Sequence, residues 1–227
     1  MTIVDLVSEF EVLYEIGSLG LPGFEDDEIR KLLDIEQYKL INQRFQGNDI
    51  YHTKFPDTQK RIDDLLSLLI LTDLDLNQTG NVNEYLVQLP ADYLHIYEVR
   101  VKNTNGVYNV AEQVSIKAAM RFSDSLRNTG PVVHSPKFNF ISDSSGNKLL
   151  RIFYYDATET TIQTTSGCQI MYIKLPTDLT SVADGTTLDD FNIDVYHEIV
   201  RATVDTAISI VTPQKAQVSQ SQLNKTE

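Results

Sequence analysis

The chain has 227 residues, of which 41% are hydrophobic and 22% charged, a composition typical of a globular protein with its own hydrophobic core. Its 19 Lys and Arg residues against 32 Asp and Glu residues give a formal net charge of −13, which argues against tight binding to a nucleic-acid backbone. The single cysteine, Cys168, excludes an internal disulfide framework, and no segment has the ~20 apolar residues of a membrane span.

The first part of the chain, residues 1–80, is predicted to be a helical region. Apolar residues recur at helical spacing behind Thr2, which forms a capping pattern with Asp5, and a second run follows the acidic residues at 25–28 and ends at Gly47. A third helix is expected to begin near Pro56. The predicted buried residues of the second and third helices are Ile29, Leu32, Leu33, Leu40, Ile41, Phe45, Ile62, Leu65, Leu66, Leu69 and Ile70.

The segment "DLDLNQTGNVNE", residues 73–84, has the spacing of an EF-hand calcium loop. Its sixth position is Gln78, where that loop needs glycine, and "YLVQLP" after Glu84 predicts a strand in place of the second helix. We therefore expect a polar connection between a helix and a strand, with no cofactor, and keep calcium as the weaker alternative. The candidate ligands are Asp73, Asp75, Asn77, Thr79, Asn81 and Glu84.

Residues 81–190 are predicted to form an antiparallel β-sheet or sandwich with a short inserted helix at 118–128. Tyr97, Val99 and Val101 alternate with charged residues, "TNG" at 104–106 indicates a turn, and "NKLLRIFYYD" and "CQIMYIKLP" predict further strands. Cys168 is expected to be a buried thiol on a strand, not a nucleophile. The fold class expected for the whole chain is therefore α+β.

The end of the chain is predicted to be a helix at 191–211 that packs on the helical region, followed by a polar arm at 212–227. The helix is expected to end before Pro213, because proline disfavours helix in the residue before it. Two similar phrases, "LPADYL" at 89–94 and "LPTDLT" at 175–180, end strands, and Asp92 and Asp178 are expected to form Asx turns there.

The sequence gives little sign of an enzyme. "HEIVR" at 197–201 begins like a zinc-protease helix but has Arg201 where the second histidine is needed, and His52, His95 and His134 lie far apart in sequence. Neither a G-x-S-x-G elbow nor a glycine-rich phosphate loop occurs. We therefore expect a protein without catalytic activity.

The order of three phrases resembles the tail-adaptor or neck-ring proteins of short-tailed bacteriophages, in particular the ring proteins of crAss-like phages. These proteins combine an N-terminal helical region, a β-rich middle with an inserted helix, and a closing helix. The corresponding phrases here are "LPADYL", "MYIKLPTDL" and "YHEIVRATVDTAI", and the resemblance spans roughly residues 1 to 211.

The resemblance implies a structural protein of the virion neck, assembled in the cytoplasm of the bacterial host. It implies a homo-oligomeric ring, typically dodecameric, that contacts the portal and adjacent ring or tail proteins and touches passing genomic DNA without specificity or any membrane contact. The alternative is a receptor-binding or glycan-binding module of a phage fibre, built on the β-rich middle. For the ring, the residues assigned to assembly are Tyr196, His197, Arg201, Pro213, Gln214 and Lys215.

Overall fold

The computed structural model describes residues 1–18, 22–46, 56–79, 84–103, 105–122, 136–154 and 164–223. The chain forms two compact units, which we call the helical unit (Met1–Leu68 with Pro176–Glu227) and the β unit (Leu69–Leu175). Helices and two β-sheets occur together, so the predicted α+β class is confirmed.

The helices of the described residues begin and end as follows. They are α1 (Ile3–Ser18), α2 (Asp26–Gln46), α3 (Pro56–Leu65) with a 3-10 turn at Leu66–Leu68, α4 (Ile116–Phe122) and α5 (Ile193–Leu223). All except α4 belong to the helical unit, in which α1 and α2 both pack against α5.

The predicted capping pattern at the start of α1 is confirmed. The Thr2 backbone N–H donates to Asp5 Oδ2 at 2.8 Å, and the Asp5 N–H donates to Thr2 Oγ1 at 3.2 Å. The Thr2 backbone N–H, and then the Thr2 hydroxyl, lower the pKa of Asp5, since both favour the charged form of its carboxyl group. The capping box therefore fixes where the first helix begins.

The core of the helical unit follows the predicted helical spacing. Phe10 stacks on Tyr14 with ring centroids 5.5 Å apart, and the edge of Phe24 meets Tyr14 at 5.3 Å. On α2 the predicted residues Ile29, Leu33, Leu40 and Ile41 are buried.

The third helix is shorter than the sequence predicted. It ends at Leu65, and Leu69 and Ile70 belong to a strand. Ile62 and Leu66, which were expected to be buried, are exposed. The helical spacing of apolar residues was misleading here because pairing with a strand from much later in the chain determines the backbone at 69–74.

Nine strands are described in the β unit: β1 (Leu69–Leu74), β2 (Asn77–Gln78), β3 (Glu84–Gln88), β4 (Tyr93–Lys102), β5 (Tyr108–Val110), β6 (Glu112–Gln113), β7 (Lys137–Ser142), β8 (Lys148–Phe153) and β9 (Cys168–Lys174). They form a four-stranded sheet of order β1-β9-β4-β5 and a five-stranded sheet of order β2-β3-β8-β7-β6. All pairs are antiparallel except β6 with β7. Both sheets contribute to one buried core that includes Val99, Val101, Leu150, Ile152 and Ile170.

The two units do not divide the chain at the predicted boundaries of 80 and 190. The β unit already begins at Leu69, and residues 176–190 belong to the helical unit. There Leu188 donates its N–H to the Met1 carbonyl oxygen at 2.9 Å, and the Arg30 guanidinium donates to the Val182 carbonyl oxygen at 2.9 Å. These hydrogen bonds join the later segment to the start of α1 and to α2, which no local sequence pattern could indicate.

A β-bulge overturns the prediction for Tyr97. The register of β4 on β9 shifts between Ile96 and Glu98, so the alternation of the strand is interrupted at that point. Val99 and Val101 are buried as predicted, whereas Tyr97 is 61% exposed. The inserted helix, predicted at 118–128, is described at 116–122, and residues 123–128 lie outside the described part of the chain.

The last helix continues through Pro213 to Leu223, so its predicted end before Pro213 is wrong. A proline inside a helix removes one hydrogen bond and destabilises the helix by about 3 kcal/mol, but its fixed φ is compatible with helical backbone. The predicted arm, 212–227, therefore starts as helix, and residues 224–227 lie outside the described residues.

Candidate assembly surfaces

The first half of the EF-hand-like segment does not form a loop in the structure. Asp73 lies on β1, where its Oδ1 accepts a hydrogen bond from Gln169 Nε2 at 3.0 Å. Asp75 Oδ1 accepts from the Ser166 backbone N–H at 2.8 Å. Both carboxylates therefore hold the start of β9 and the turn just before it.

The second half of the segment forms a hairpin. Asn77 on β2 pairs with Leu86 on β3, and Thr79 N–H donates to the Glu84 carbonyl oxygen at 3.1 Å. The Glu84 carboxylate accepts two hydrogen bonds from Arg151, each 2.8 Å long, while Asn81 lies outside the described residues. Since Glu84 binds a guanidinium and Asp73 and Asp75 bind other groups, the structure does not bring these candidate ligands together.

The described residues contain neither a metal-binding cluster nor a membrane-spanning helix. Among residues 1–18, 22–46, 56–79, 84–103, 105–122, 136–154 and 164–223, no three His, Cys, Asp or Glu side chains form a group that could hold a metal ion. Within the same ranges, no helix is long and apolar enough to cross a membrane.

Tyr196 lies in the core of the helical unit, not on an assembly surface. It is 2% exposed and meets the ring of Phe191 edge to face at 5.5 Å. Burial raises the pKa of Tyr196 to about 12, and the negative charge of Asp190 adds to this effect. Its assignment to assembly is therefore wrong, since its ring is enclosed by residues of the same chain.

His197 and Arg201 lie one helical turn apart on α5, and both reach the surface. His197 Nδ1 lies 2.7 Å from Glu9 Oε1, so this half-buried pair joins α1 to α5. Arg201 is exposed, and it forms no ion pair with any side chain that the structure describes. Among the assigned residues whose side chains are described, Arg201 thus has a charge that is available to a partner.

The remaining assembly residues lie on the C-terminal part of α5. Pro213, Gln214 and Lys215 have helical backbone, and their side chains lie outside the described residues. Their prediction as assembly residues stays a prediction.

The two similar phrases are built differently. Asp178 forms the expected Asx turn, because its Oδ1 accepts from the Thr180 N–H at 2.9 Å. Asp92 instead accepts a hydrogen bond from the hydroxyl of Tyr172 on β9 at 3.1 Å, and its carbonyl oxygen accepts from the Leu175 N–H. Only the second phrase follows the local rule, since the first is fixed by a strand from the far end of the β unit.

A cleft of about 340 Å³ lies beside the "LPADYL" phrase. In the lining of this cleft, Lys148 Nζ lies 4.9 Å from the centre of the Tyr93 ring. An aromatic ring with a cation beside it is a suitable surface for a flat polar ligand. The residues that line the cleft are Gln88, Leu89, Pro90, Ala91, Tyr93, Leu94, Asn147, Lys148 and Leu175.

The net charge of the protein is concentrated in one unit. Residues 1–68 and 176–227 contain 22 Asp and Glu against 10 Lys and Arg, whereas residues 69–175 contain 10 against 9. The helical unit is therefore strongly acidic, and the β unit is close to neutral.

The four-stranded sheet has two edges without a further strand. Within the described residues, β1 pairs with β9 alone and β5 pairs with β4 alone. Each edge exposes an apolar side chain: Leu71 on β1 is 54% exposed, and Val110 on β5 is 58% exposed. Unpaired edges of this kind can accept a strand from another chain.

Comparison with known proteins does not assign the chain to a family. No family model matches it, and no curated protein matches it significantly. The resemblance to neck-ring proteins therefore depends on the sequence phrases alone.

The residues at these free edges were not identified from the sequence as assembly residues. Leu71 was given no role, Asp73 was named only as a candidate ligand in the weaker calcium alternative, and Val110 was seen only as part of a strand after a turn. The β-branched residues Ile70 and Thr72 favour a strand at 69–74, but this signal is weak beside the helical spacing of the preceding leucines.

Proposed function

We propose that this protein is one subunit of a closed ring in the neck of a short-tailed bacteriophage. The ring lies below the portal, connects it to the tail and surrounds part of the channel through which the genome leaves. The observation that carries the proposal is the succession of "LPADYL", "MYIKLPTDL" and "YHEIVRATVDTAI" in one chain. In this role the protein is a structural component of the virion and not a catalyst.

The distribution of charge supports this role. A ring that lets DNA pass should not bind it tightly, and binding depends on Lys and Arg that neutralise phosphates. The helical unit has 22 acidic against 10 basic residues, so a channel surface formed by it would repel the DNA backbone. The expected contact with passing DNA is transient and independent of sequence.

Ring closure also needs two different surfaces on each subunit, since neighbours in a cyclic ring meet head to tail. Chemically different edges at β1 and β5 are compatible with such contacts. The contacts with the portal and with the next ring or tail protein would use further surfaces, for which Arg201 and the C-terminal part of α5 are the candidates.

Solution mass and negative-stain images of the full-length protein, alone and with its portal, test the proposal. We expect closed rings, typically dodecameric, on the portal axis. Monomers alone under both conditions, or density only at peripheral fibres of purified particles, would refute the ring.

A glycan-binding module of a phage fibre is the second candidate, and the cleft beside Tyr93 and Lys148 favours it. Aromatic rings commonly contact the apolar face of a sugar. Titration with host surface glycans, followed through the amide signals of residues 88–94, tests this function. Saturable shifts that disappear in Tyr93→Ala would support the module, and their absence would count against it.

A further inference from the structure

The free edges of the four-stranded sheet lack lysine and proline, two residues that often prevent strand pairing between chains, although β5 is only three residues long and β1 carries Asp73. Natural edge strands often carry lysine, proline or a bulge. The sequence of β1 is "LILTDL" and that of β5 is "YNV", and neither contains lysine, proline or glycine. As far as the described residues show, both edges are therefore open to pairing.

The backbone of β5 directs alternate residues outward. The Ala111 N–H donates to the Val99 carbonyl oxygen at 2.8 Å, so the odd-numbered residues of this segment bond to β4. Tyr108 and Val110 therefore point their N–H and C=O groups away from β4, towards the free side of the edge strand.

The backbone of β1 does the same at the opposite edge. The Lys102 N–H donates to the Gly167 carbonyl oxygen at 2.8 Å, so the odd-numbered residues of β9 bond to β4 and the even-numbered ones bond to β1. The even-numbered residues of β9 oppose Ile70, Thr72 and Leu74. Leu71 and Asp73 consequently point their N–H and C=O groups outward.

The side chains of these four residues lie on one face of the sheet. Asp73 is opposite Gln169, Gln169 is opposite Arg100, and Arg100 is opposite Val110. Asp73 and Val110 therefore lie at the two ends of one row across the sheet. Alternation along each strand adds Leu71 and Tyr108 to the same face. This face is directed away from the core, because the intervening residues of β9, Cys168 and Ile170, are buried in it.

We propose that β5 of one copy pairs antiparallel with β1 of the next copy, with Val110 opposite Leu71 and Tyr108 opposite Asp73. The inference deepens the proposed ring and rests on it for the head-to-tail arrangement of copies. The direction of pairing follows from the sheet: four strands alternate in direction, so a second copy placed in the same orientation brings its β1 antiparallel to β5.

This register satisfies three requirements together. The outward N–H and C=O groups of Tyr108 and Val110 meet those of Asp73 and Leu71, which allows about four hydrogen bonds per contact. The two exposed apolar side chains, Val110 and Leu71, cover each other. On the opposite face, exposed Val107 comes to lie opposite half-buried Leu74.

The charges at the two edges also fit a second copy of this chain. Lys102 Nζ lies 5.3 Å from the centre of the Tyr108 ring, and Lys102 forms no ion pair with a described side chain. Asp73 of the next copy, opposite Tyr108, would come beside this cation. The nearly balanced charge of the β unit, 10 acidic against 9 basic residues, allows two β units to approach without net repulsion.

A cysteine pair in the full-length chain tests the register. Directly opposed residues of a hydrogen-bonded antiparallel pair have Cα atoms about 5.5 Å apart, which suits a disulfide. We expect Val110→Cys with Leu71→Cys, oxidised with diamide, to give a ladder of covalent multimers on a non-reducing gel. The native thiol adds little background, since burial raises the pKa of Cys168 to about 12.

Matched controls separate this pairing from other contacts. Val110→Cys combined with Thr72→Cys places the second thiol on the other face of the sheet. Each single-cysteine variant can form only one disulfide between copies, so it should give nothing larger than a covalent dimer. A ladder equally strong in the Val110 and Thr72 pair would overturn the proposed register. Val110→Pro removes an outward N–H that β4 does not use, so it should weaken assembly at least about tenfold while retaining hydrogen-exchange protection in β4.

The outcomes distinguish the pairing from the ring itself. Rings in negative-stain images without a ladder from the Val110 and Leu71 pair would overturn the edge pairing and leave the ring intact. A ladder from linear filaments alone would support the pairing and refute the closed ring. Monomers with no ladder would refute both.

Discussion

The helical unit and the β unit both have an apolar core, but they differ in their balance of acidic and basic residues. The helical unit carries 22 acidic and 10 basic residues, while the β unit carries 10 and 9. In the β unit a buried acid, Glu84, is held by the planar fork of one arginine. In the helical unit the buried acid Asp64 shares Arg44 with a second carboxylate, Glu198. The helical unit therefore has an excess of negative charge, whereas the acidic and basic residues of the β unit are nearly equal in number.

The two units should therefore differ in how electrostatic interactions affect their stability. A buried acid held by an arginine depends strongly on that cation, because the carboxylate has left water for the protein interior. An excess of exposed acids acts through many weak repulsions, which salt reduces. We therefore expect point changes to have large effects in the β unit and solution conditions to act mainly on the helical unit.

The largest effect should come from Arg151→Met. The Glu84 side chain is 7% exposed, and both of its oxygens accept from Arg151 at 2.8 Å. Removing the guanidinium leaves a buried carboxylate without its cation, which should lower the free energy of unfolding by about 3 to 5 kcal/mol. Hydrogen exchange of amides in residues 69–175 measures this loss.

The control for that variant is Arg151→Met combined with Glu84→Gln. Because the double variant removes the charge together with its partner, it should be more stable than Arg151→Met alone. Equal stability of the two variants would contradict the view that the uncompensated charge causes the loss.

The next effect should come from Arg44→Met in the helical unit, at about 2 kcal/mol near neutral pH. Arg44 Nε lies 3.1 Å from Asp64 Oδ2, and the second carboxylate, Glu198, lies 2.6 Å from the other end of the guanidinium. Burial raises the pKa of Asp64, and Arg44 opposes this rise. Without Arg44 the buried charge becomes still less favourable.

The pH dependence gives the sign of this effect. A carboxyl group whose pKa is raised by folding contributes stability that is present below its unfolded pKa and is lost as the pH rises through its folded pKa. The deficit of Arg44→Met should therefore shrink when the pH is lowered, and Asp64→Asn in the same chain should remove this dependence. A deficit that grows on acidification would show that Asp64 is not the group responsible.

The sequence predicted local features of both units and missed those that depend on distant residues. The capping pair Thr2 and Asp5, the buried face of α2 and the turn before β5 follow from residues close together in sequence. The first two residues of the strand at Leu69–Leu74 were predicted as helix, because the leucines before them repeat at helical spacing and the strand partner, β9, comes much later. Tyr97 was placed on the buried face because a bulge cannot be recognised from alternation alone.

The same distinction explains the assembly residues. Tyr196 was assigned to a surface from its place in the "YHEIV" phrase, yet it is buried against Phe191. The free edge at β1 could not be identified before the strand itself was known. Which residues a surface exposes depends on the packing of the whole unit, whereas a phrase of sequence only fixes their order.

A smaller effect is expected from Tyr172→Phe in the β unit, about 1 kcal/mol at pH 8. Its hydroxyl donates to Asp92 Oδ1 at 3.1 Å and joins β9 to the "LPADYL" turn. Burial, and then this hydrogen bond, raises the pKa of Tyr172 from 10.0 to about 12. The stability from the raised pKa is fully present below pH 10 and is lost as the pH rises towards 12.

Urea unfolding at pH 8 and pH 11 tests this prediction. Because the wild-type protein loses the contribution of Tyr172 on the alkaline side and the phenylalanine variant has none to lose, the difference between the two proteins should narrow at pH 11. A difference that stays constant between the two pH values would contradict the role of this hydroxyl.

The smallest effect should be that of salt, and it tests the comparison of the units most directly. Raising the ionic strength from about 0.01 M to about 0.1 M shortens the Debye length from about 30 Å to about 10 Å. Repulsion among the exposed acids of the helical unit should weaken, and its free energy of opening should rise by about 0.5 kcal/mol. The β unit, with 10 acidic and 9 basic residues, should change less.

Glu11 and Glu15 provide the matched variant for this measurement. Both are exposed on α1 and lie four residues apart, so their like charges repel each other on one helix face. Glu11→Gln with Glu15→Gln should reduce the salt dependence of helical-unit amides and leave that of β-unit amides unchanged. If salt stabilised both units equally in the wild-type protein, the excess of acidic residues in the helical unit would not be the source of the effect, and the electrostatic contrast between the units would have no consequence for their stability.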